Sequence, residues 1–158
     1  MKSSILTVLF AVACFFSSTV IASLDREVEC LTRNIYFEAG GESFAGKLAV
    51  AQVSINRSQD ARFPSSICSV VQHVTRRDGK IVCQFSWYCT NKRHAKISPY
   101  SHRYQESASV ARLVLMDGLR MPNLSNALYF HATHVNPNWG KKRVAKIGNH
   151  IFYADYKK

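Results

Sequence analysis

The stretch DREVECLTRNIYFEAGGES, residues 25–43, constrains the fold more than any other part of the chain. Val28, Leu31 and Ile35 stand at i, i+3 and i+7, the spacing of one apolar helix stripe. Asp25 is placed to cap the start of a helix over 25–38. Glu38 follows Ile35 by three residues, so it falls on the same stripe, and Gly40-Gly41 ends the helix. An inward carboxyl at a helix C-terminus meets two influences of one sign. Apolar neighbours and the negative end of the helix dipole both disfavour its ionised form. A general acid working near neutral pH needs such a group. The glycine pair lets backbone or ligand approach closely. Glu42 is a second carboxylate, open to two roles: assisting Glu38, or occupying the first turn of the following helix, where an acid is favoured.

Beyond this segment, Ser43 is placed to cap a helix running to about Asn56, and FAGKLAVAQVSIN is apolar nearly all round, as a central buried helix would be. FPSS at 63–66 is a turn into a helix or strand through Val70 and Val71, and Asp78-Gly79 is a turn signal. IVCQFSWYC at 81–89 suits an extended segment, and residues 101–117 read as a helix stopped by Gly118. NALYFHA at 126–132 reads as a strand, and 143–156 as a hairpin turning at Gly148-Asn149. The order is helices first and a small antiparallel sheet late in the chain: an α+β domain with a helical majority.

Residues 1–22 are a different material. Lys2 precedes Ile5–Phe16, a run of 12 residues without a charge, and SSTVIA ends in small residues before Ser23. This is the pattern of a secretory signal peptide, leaving one domain over 23–158; the alternatives are an uncleaved anchor and a lipoprotein signal at Ala11-Val12-Ala13-Cys14, a poor match because Ala stands where Leu is usual. Cleavage removes Cys14 and leaves Cys30, Cys68, Cys83 and Cys89. An even number in an exported domain implies two disulfides, with three connectivities open. The net charge is +11, or +10 once Lys2 is removed, so a polyanionic partner is expected: cell wall, anionic membrane surface or nucleic acid.

Several residues are candidates for substrate contact. As a strand, CQFSWYC sets Gln84, Ser86 and Tyr88 on one face and Phe85 and Trp87 on the other; aromatics among amides and hydroxyls suit sugar rings. Tyr129 and His131 are placed to line a cleft, and Asn136 to Trp139 to form its lip. His131, His134 and His150 lack helical i, i+4 spacing, and no HExxH or CxxC occurs, so neither a metal nor a cofactor is expected.

Taken in order, NIYFEAGGE, GKLAVAQVSINR, FPSSICSVV, CQFSWYC, ALYFHATHVNPNW and KIGNHIFY resemble the bacterial cell wall hydrolases of the spore-cortex-lytic (SleB-type) family, from about Cys30 to Tyr153. The resemblance implies a lysozyme-like, lytic-transglycosylase-type domain acting on peptidoglycan glycan strands. It implies Glu38 as the catalytic acid, in a motif usually written E-A-R-G-E that reads EAGGE here, with Gly40 in place of Arg. The implied protein is an exported monomer of the periplasm or cell wall. It holds anionic wall polymers through its basic surface, with no specific nucleic acid and no stable membrane span after cleavage. An N-acetylmuramoyl-L-alanine amidase and a non-catalytic wall-binding protein are the competing functions. Whether a muramidase of this kind ends in an anhydro sugar or a reducing sugar is open.

Overall fold

The computed structural model describes residues 3–156, and their side chains from Val20 onward. Four helices lead: α1 (Ser3–Ala39), α2 (Phe44–Ser58), α3 (Ile67–Val71) and, after a hairpin, α4 (His102–Leu115). The hairpin pairs β1 (Val74–Arg77) with β2 (Lys80–Cys83); β3 (Tyr129–Ala132), β4 (Lys142–Ile147) and β5 (His150–Ala154) form an antiparallel sheet in the order β3-β5-β4. This is the expected α+β domain, mainly helical, with its larger sheet late in the chain.

Helix α2 is the centre. Every residue from Gly46 to Arg57 is buried, as its all-round apolar pattern requires. Ser43 caps it, accepting from the Gly46 N–H. Helices α1, α3 and α4 pack around α2, joined through Leu31, Ile35, Leu48, Ile55, Val71, Val110 and Val114. Phe152 of β5 is fully buried and closes a second cluster with Val50, Val53 and Leu124. The turn between β4 and β5 falls at Gly148, whose φ of 55° suits a residue without a Cβ.

Three expectations are corrected. Asp25 does not cap a helix, because α1 runs through it from Ser3, and no Gly or Pro interrupts 3–39. Residues 3–22 of the expected leader therefore lie in the same helix, with Met1 and Lys2 outside the described residues. Next, β1 and β2 form a hairpin across the expected turn, β2 taking up the start of the extended segment expected over 81–89; Asp78 (φ 50°) and Gly79 (φ 73°) supply the two positive-φ positions of a tight hairpin turn. Finally, the strand ends at Cys83, and the rest of CQFSWYC is not extended as expected. Ser86–Cys89 is a 3₁₀ turn, closed by a disulfide between Cys83 and Cys89. The other bridge, Cys30–Cys68, ties α1 to α3 across 38 residues.

Candidate active site

The last two turns of α1 carry the candidate acid, and their position is fixed from below. Asn34 is fully buried, donates to Ser54 Oγ of α2 at 3.2 Å, and accepts from Trp87 Nε1 at 2.9 Å. Phe37 stacks on Trp87 at 4.7 Å between ring centroids. These contacts lock the helix in rotation, so Glu38 is held half-buried one turn beyond Asn34. Burial pushes its carboxyl above the ordinary range, and the Arg57 guanidinium and Lys92 ammonium pull it back in part.

Arg57, near the end of helix α2, is a further candidate for the site that sequence reasoning passed over. It is buried, with Nε donating to the Leu128 carbonyl at 2.8 Å and its guanidinium carbon 5.1 Å from the Phe85 ring and 5.4 Å from Phe63. Its Nη1 is buried without a hydrogen-bond partner. Burial lowers its pKa to about 10, against the pull of Tyr129 and Glu38. The available signal was an arginine inside a segment whose neighbours are all core: such a charge demands a purpose.

Glu42 lives in a contrasting environment. Its two carboxylate oxygens accept from the Asn149 backbone N–H (3.1 Å) and Asn149 Nδ2 (3.0 Å) in the β4–β5 turn. Burial alone would raise its pKa, but those two hydrogen bonds, with His150 and Lys47 nearby, outweigh it and hold the group below the ordinary range. Lys47 donates to the Glu42 carbonyl at 2.5 Å and to Glu106 at 3.1 Å. Two carboxylates four residues apart are thus driven in opposite directions, one toward keeping a proton and one toward losing it.

Tyr129 and His131 stand together on the outer face of the sheet. Tyr153 stacks on His131 at 5.2 Å, and Trp139, 42% exposed, lies edge-on to Tyr129, His131 and Tyr153. With the Ala132 carbonyl as its acceptor at 2.9 Å, His131 Nδ1 carries the hydrogen in the neutral ring, and Nε2 accepts from the Tyr153 hydroxyl at 2.9 Å. His150 is buried edge-on to Phe130, and burial lowers its pKa. Asn136 is exposed in the loop that carries Trp139. Gln84 is half-buried, with its backbone N–H on the His73 carbonyl, and Ser86 is exposed at the start of the 3₁₀ turn. Trp87 is 5% exposed; its faces are spent on Phe37 and Tyr88, so it supports the acid's helix and offers no platform for a sugar. A cavity of about 410 Å³ lies at the C-terminal end of α2, lined by Asn56, Arg62 and Asp155 among others, and none of the expected site residues lines it.

The chain matches known proteins over most of its length. The cell wall hydrolase family profile matches residues 41–153, beginning three residues after Glu38. The spore cortex-lytic enzyme of Bacillus subtilis (strain 168) is 26% identical over 136 residues, covering 81% of this chain and 37% of the relative. That of Bacillus cereus is 28% identical over 138 residues, covering 80% and 44%. The chain therefore spans less than half the length of these curated relatives. Among solved structures, the catalytic domain of the germination-specific lytic transglycosylase SleB from Bacillus anthracis superposes with a TM-score of 0.59 at 25% identity, over 80% of this chain and 93% of that one. The SleB catalytic domain of Bacillus cereus gives 0.58 at 22% identity, a likeness of fold.

Proposed function

Because the chain belongs to the cell wall hydrolase family, we propose that it cleaves peptidoglycan glycan strands as a lytic transglycosylase, with Glu38 as its one acid and base. The observation that carries this is the half-buried carboxyl at the end of α1, shifted toward its protonated form by burial. Glu38 gives its proton to the glycosidic oxygen between N-acetylmuramic acid and N-acetylglucosamine as the C1–O bond breaks. The muramyl 6-hydroxyl then closes on C1, and its proton returns to Glu38. The product is a 1,6-anhydro end, no water is consumed, and the acid is restored.

Ordinary glycoside hydrolysis calls on a second carboxylate at a defined separation. Glu42 is the nearest in sequence, and both its oxygens are engaged by Asn149. That engagement supports the transglycosylase over the hydrolase. Tyr129, His131 and Asn136 remain the residues proposed to contact glycan, through the aromatic face that Trp139 extends. Gln84 and Ser86 are proposed as contacts beside the 3₁₀ turn. Residues 1–22 are proposed as an export leader, with 23–158 acting as a monomer outside the cytoplasm, in the periplasm or at the wall. The net charge of +10 on residues 23–158 supports adhesion to anionic wall polymers.

The test is clearance of purified sacculi by wild type, Glu38→Gln and Glu38→Asp. Loss of clearance by at least about a hundredfold in Glu38→Gln is expected for a general acid. Full activity in that variant would refute the assignment.

A further inference from the structure

The aromatic pair that precedes Glu38 forms part of a continuous cationic rim. Arg33 donates to the Arg93 carbonyl at 2.8 Å, binding the 91–94 turn to α1. Its guanidinium carbon lies 5.7 Å from the Phe37 ring. Phe37 meets Tyr36 edge-on at 5.2 Å, and the Arg103 guanidinium of α4 lies over Tyr36 at 4.7 Å. Gly40 makes room for Arg103, since a Cβ at that position would overlap its Nε. Lys92 and Arg93 are exposed at one end of the rim and Arg103 at the other.

Among the described residues, none of Arg33, Lys92, Arg93 and Arg103 has a carboxylate at ion-pair distance. Of the nearby acids, Glu29 accepts from the Tyr104 hydroxyl at 2.6 Å, Glu106 pairs with Lys47, and Glu38, on which the Lys92 charge acts, lies beyond ion-pair distance. Like charges gathered without counter-charges raise one another's energy, and a bound anion relieves it. Arginine forks favour carboxylates over hydroxyls.

We propose that the rim from Lys92 and Arg93 through Arg33 to Arg103 binds the carboxylates of the peptide stems that a peptidoglycan strand carries, seating a stem-bearing sugar beside Glu38. This rests on the glycan-cleaving function proposed above. The cations fit the several carboxylates of a stem, whereas glycan freed of stems keeps only the lactyl carboxylate of each N-acetylmuramic acid.

The experiment measures binding, without turnover, on the full chain carrying Glu38→Gln. The probes are sacculi freed of phosphate polymers, with stems intact or with stems removed by an amidase. Stem-bearing sacculi should bind about tenfold more tightly at low salt, and that preference should fade by 0.5 M salt. Adding Arg93→Gln and Arg103→Gln should abolish the preference, and Arg93→Lys with Arg103→Lys should restore most of it. Equal binding to both sacculi, or a preference that survives the double glutamine variant, overturns the proposal. A preference seen only with walls that keep their phosphate polymers overturns it in favour of a phosphate ligand. Because binding is read without cleavage, failure of this proposal is separate from failure of Glu38 as the acid.

Discussion

Glu42 and Asn149 lie 107 residues apart and meet through two hydrogen bonds at 3.0 and 3.1 Å. The pair pins the short turn between α1 and α2 to the turn between β4 and β5. Gly148 permits it, because a Cβ there would overlap the Glu42 carboxylate. Asn149→Ala removes the side-chain donor and is expected to cost about 1 kcal/mol. Gly148→Ala should cost more, since it strains a positive φ and displaces Glu42 as well. Thermal unfolding of both variants checks the order.

The same pair sets an acid limit. The folded-state pKa of Glu42 is depressed, so its contribution is present above the ordinary carboxylate range and is lost as pH falls through the depressed value. Stability of wild type should therefore drop more steeply than that of Glu42→Gln as pH falls below about 4. Parallel curves for the two proteins would contradict the role given to Glu42.

Glu38 predicts the opposite sign. Its folded pKa is raised, so the protein gains from its protonation at low pH and loses that gain as pH rises through the raised value. At neutral pH, Glu38→Gln should be inactive yet melt a few degrees higher, the usual exchange of function for stability. A lowered melting temperature would show that the carboxylate is structural.

Arg57 tunes that acid, and its removal should be visible in the pH profile. The guanidinium lowers the Glu38 pKa, so Arg57→Met should raise it and move the alkaline limb of kcat/KM to higher pH. Arg57→Lys keeps the charge and should move the limb less. Both variants lose the bond to Leu128 and should be destabilised by about 1–3 kcal/mol. An unmoved limb in Arg57→Met would separate the two residues.

The Cys30–Cys68 bridge closes a 38-residue separation, worth about 4 kcal/mol by loop entropy, whereas Cys83–Cys89 closes one of six, worth about 2 kcal/mol. Replacing Cys30 and Cys68 together with Ala should accordingly lower the melting temperature more than replacing Cys83 and Cys89.

What was legible in the chain was local. The Ser43 cap, the Gly148 turn and the inward Glu38 each follow from spacing within a few residues, and each stands where expected in the fold. What was hidden depends on distant partners. The cysteine count allowed three pairings and could not choose one. The aromatic alternation of CQFSWYC read as a strand, because the tight turn there is shaped by the Cys83–Cys89 bridge and by Trp87 reaching Asn34, 53 residues earlier. Arg57 was passed over because its carbonyl partner on Leu128 and its charge partner Glu38 come from other elements, far from it in sequence.

The most direct measurement is mass spectrometry of the muropeptides released from purified peptidoglycan by the wild-type protein and by Glu38→Gln. Anhydro-muropeptides from wild type alone are the predicted result, and they would establish the single-acid transglycosylase. Reducing ends would contradict it by requiring an activated water, and freed stem peptides would place the cut at the amide bond.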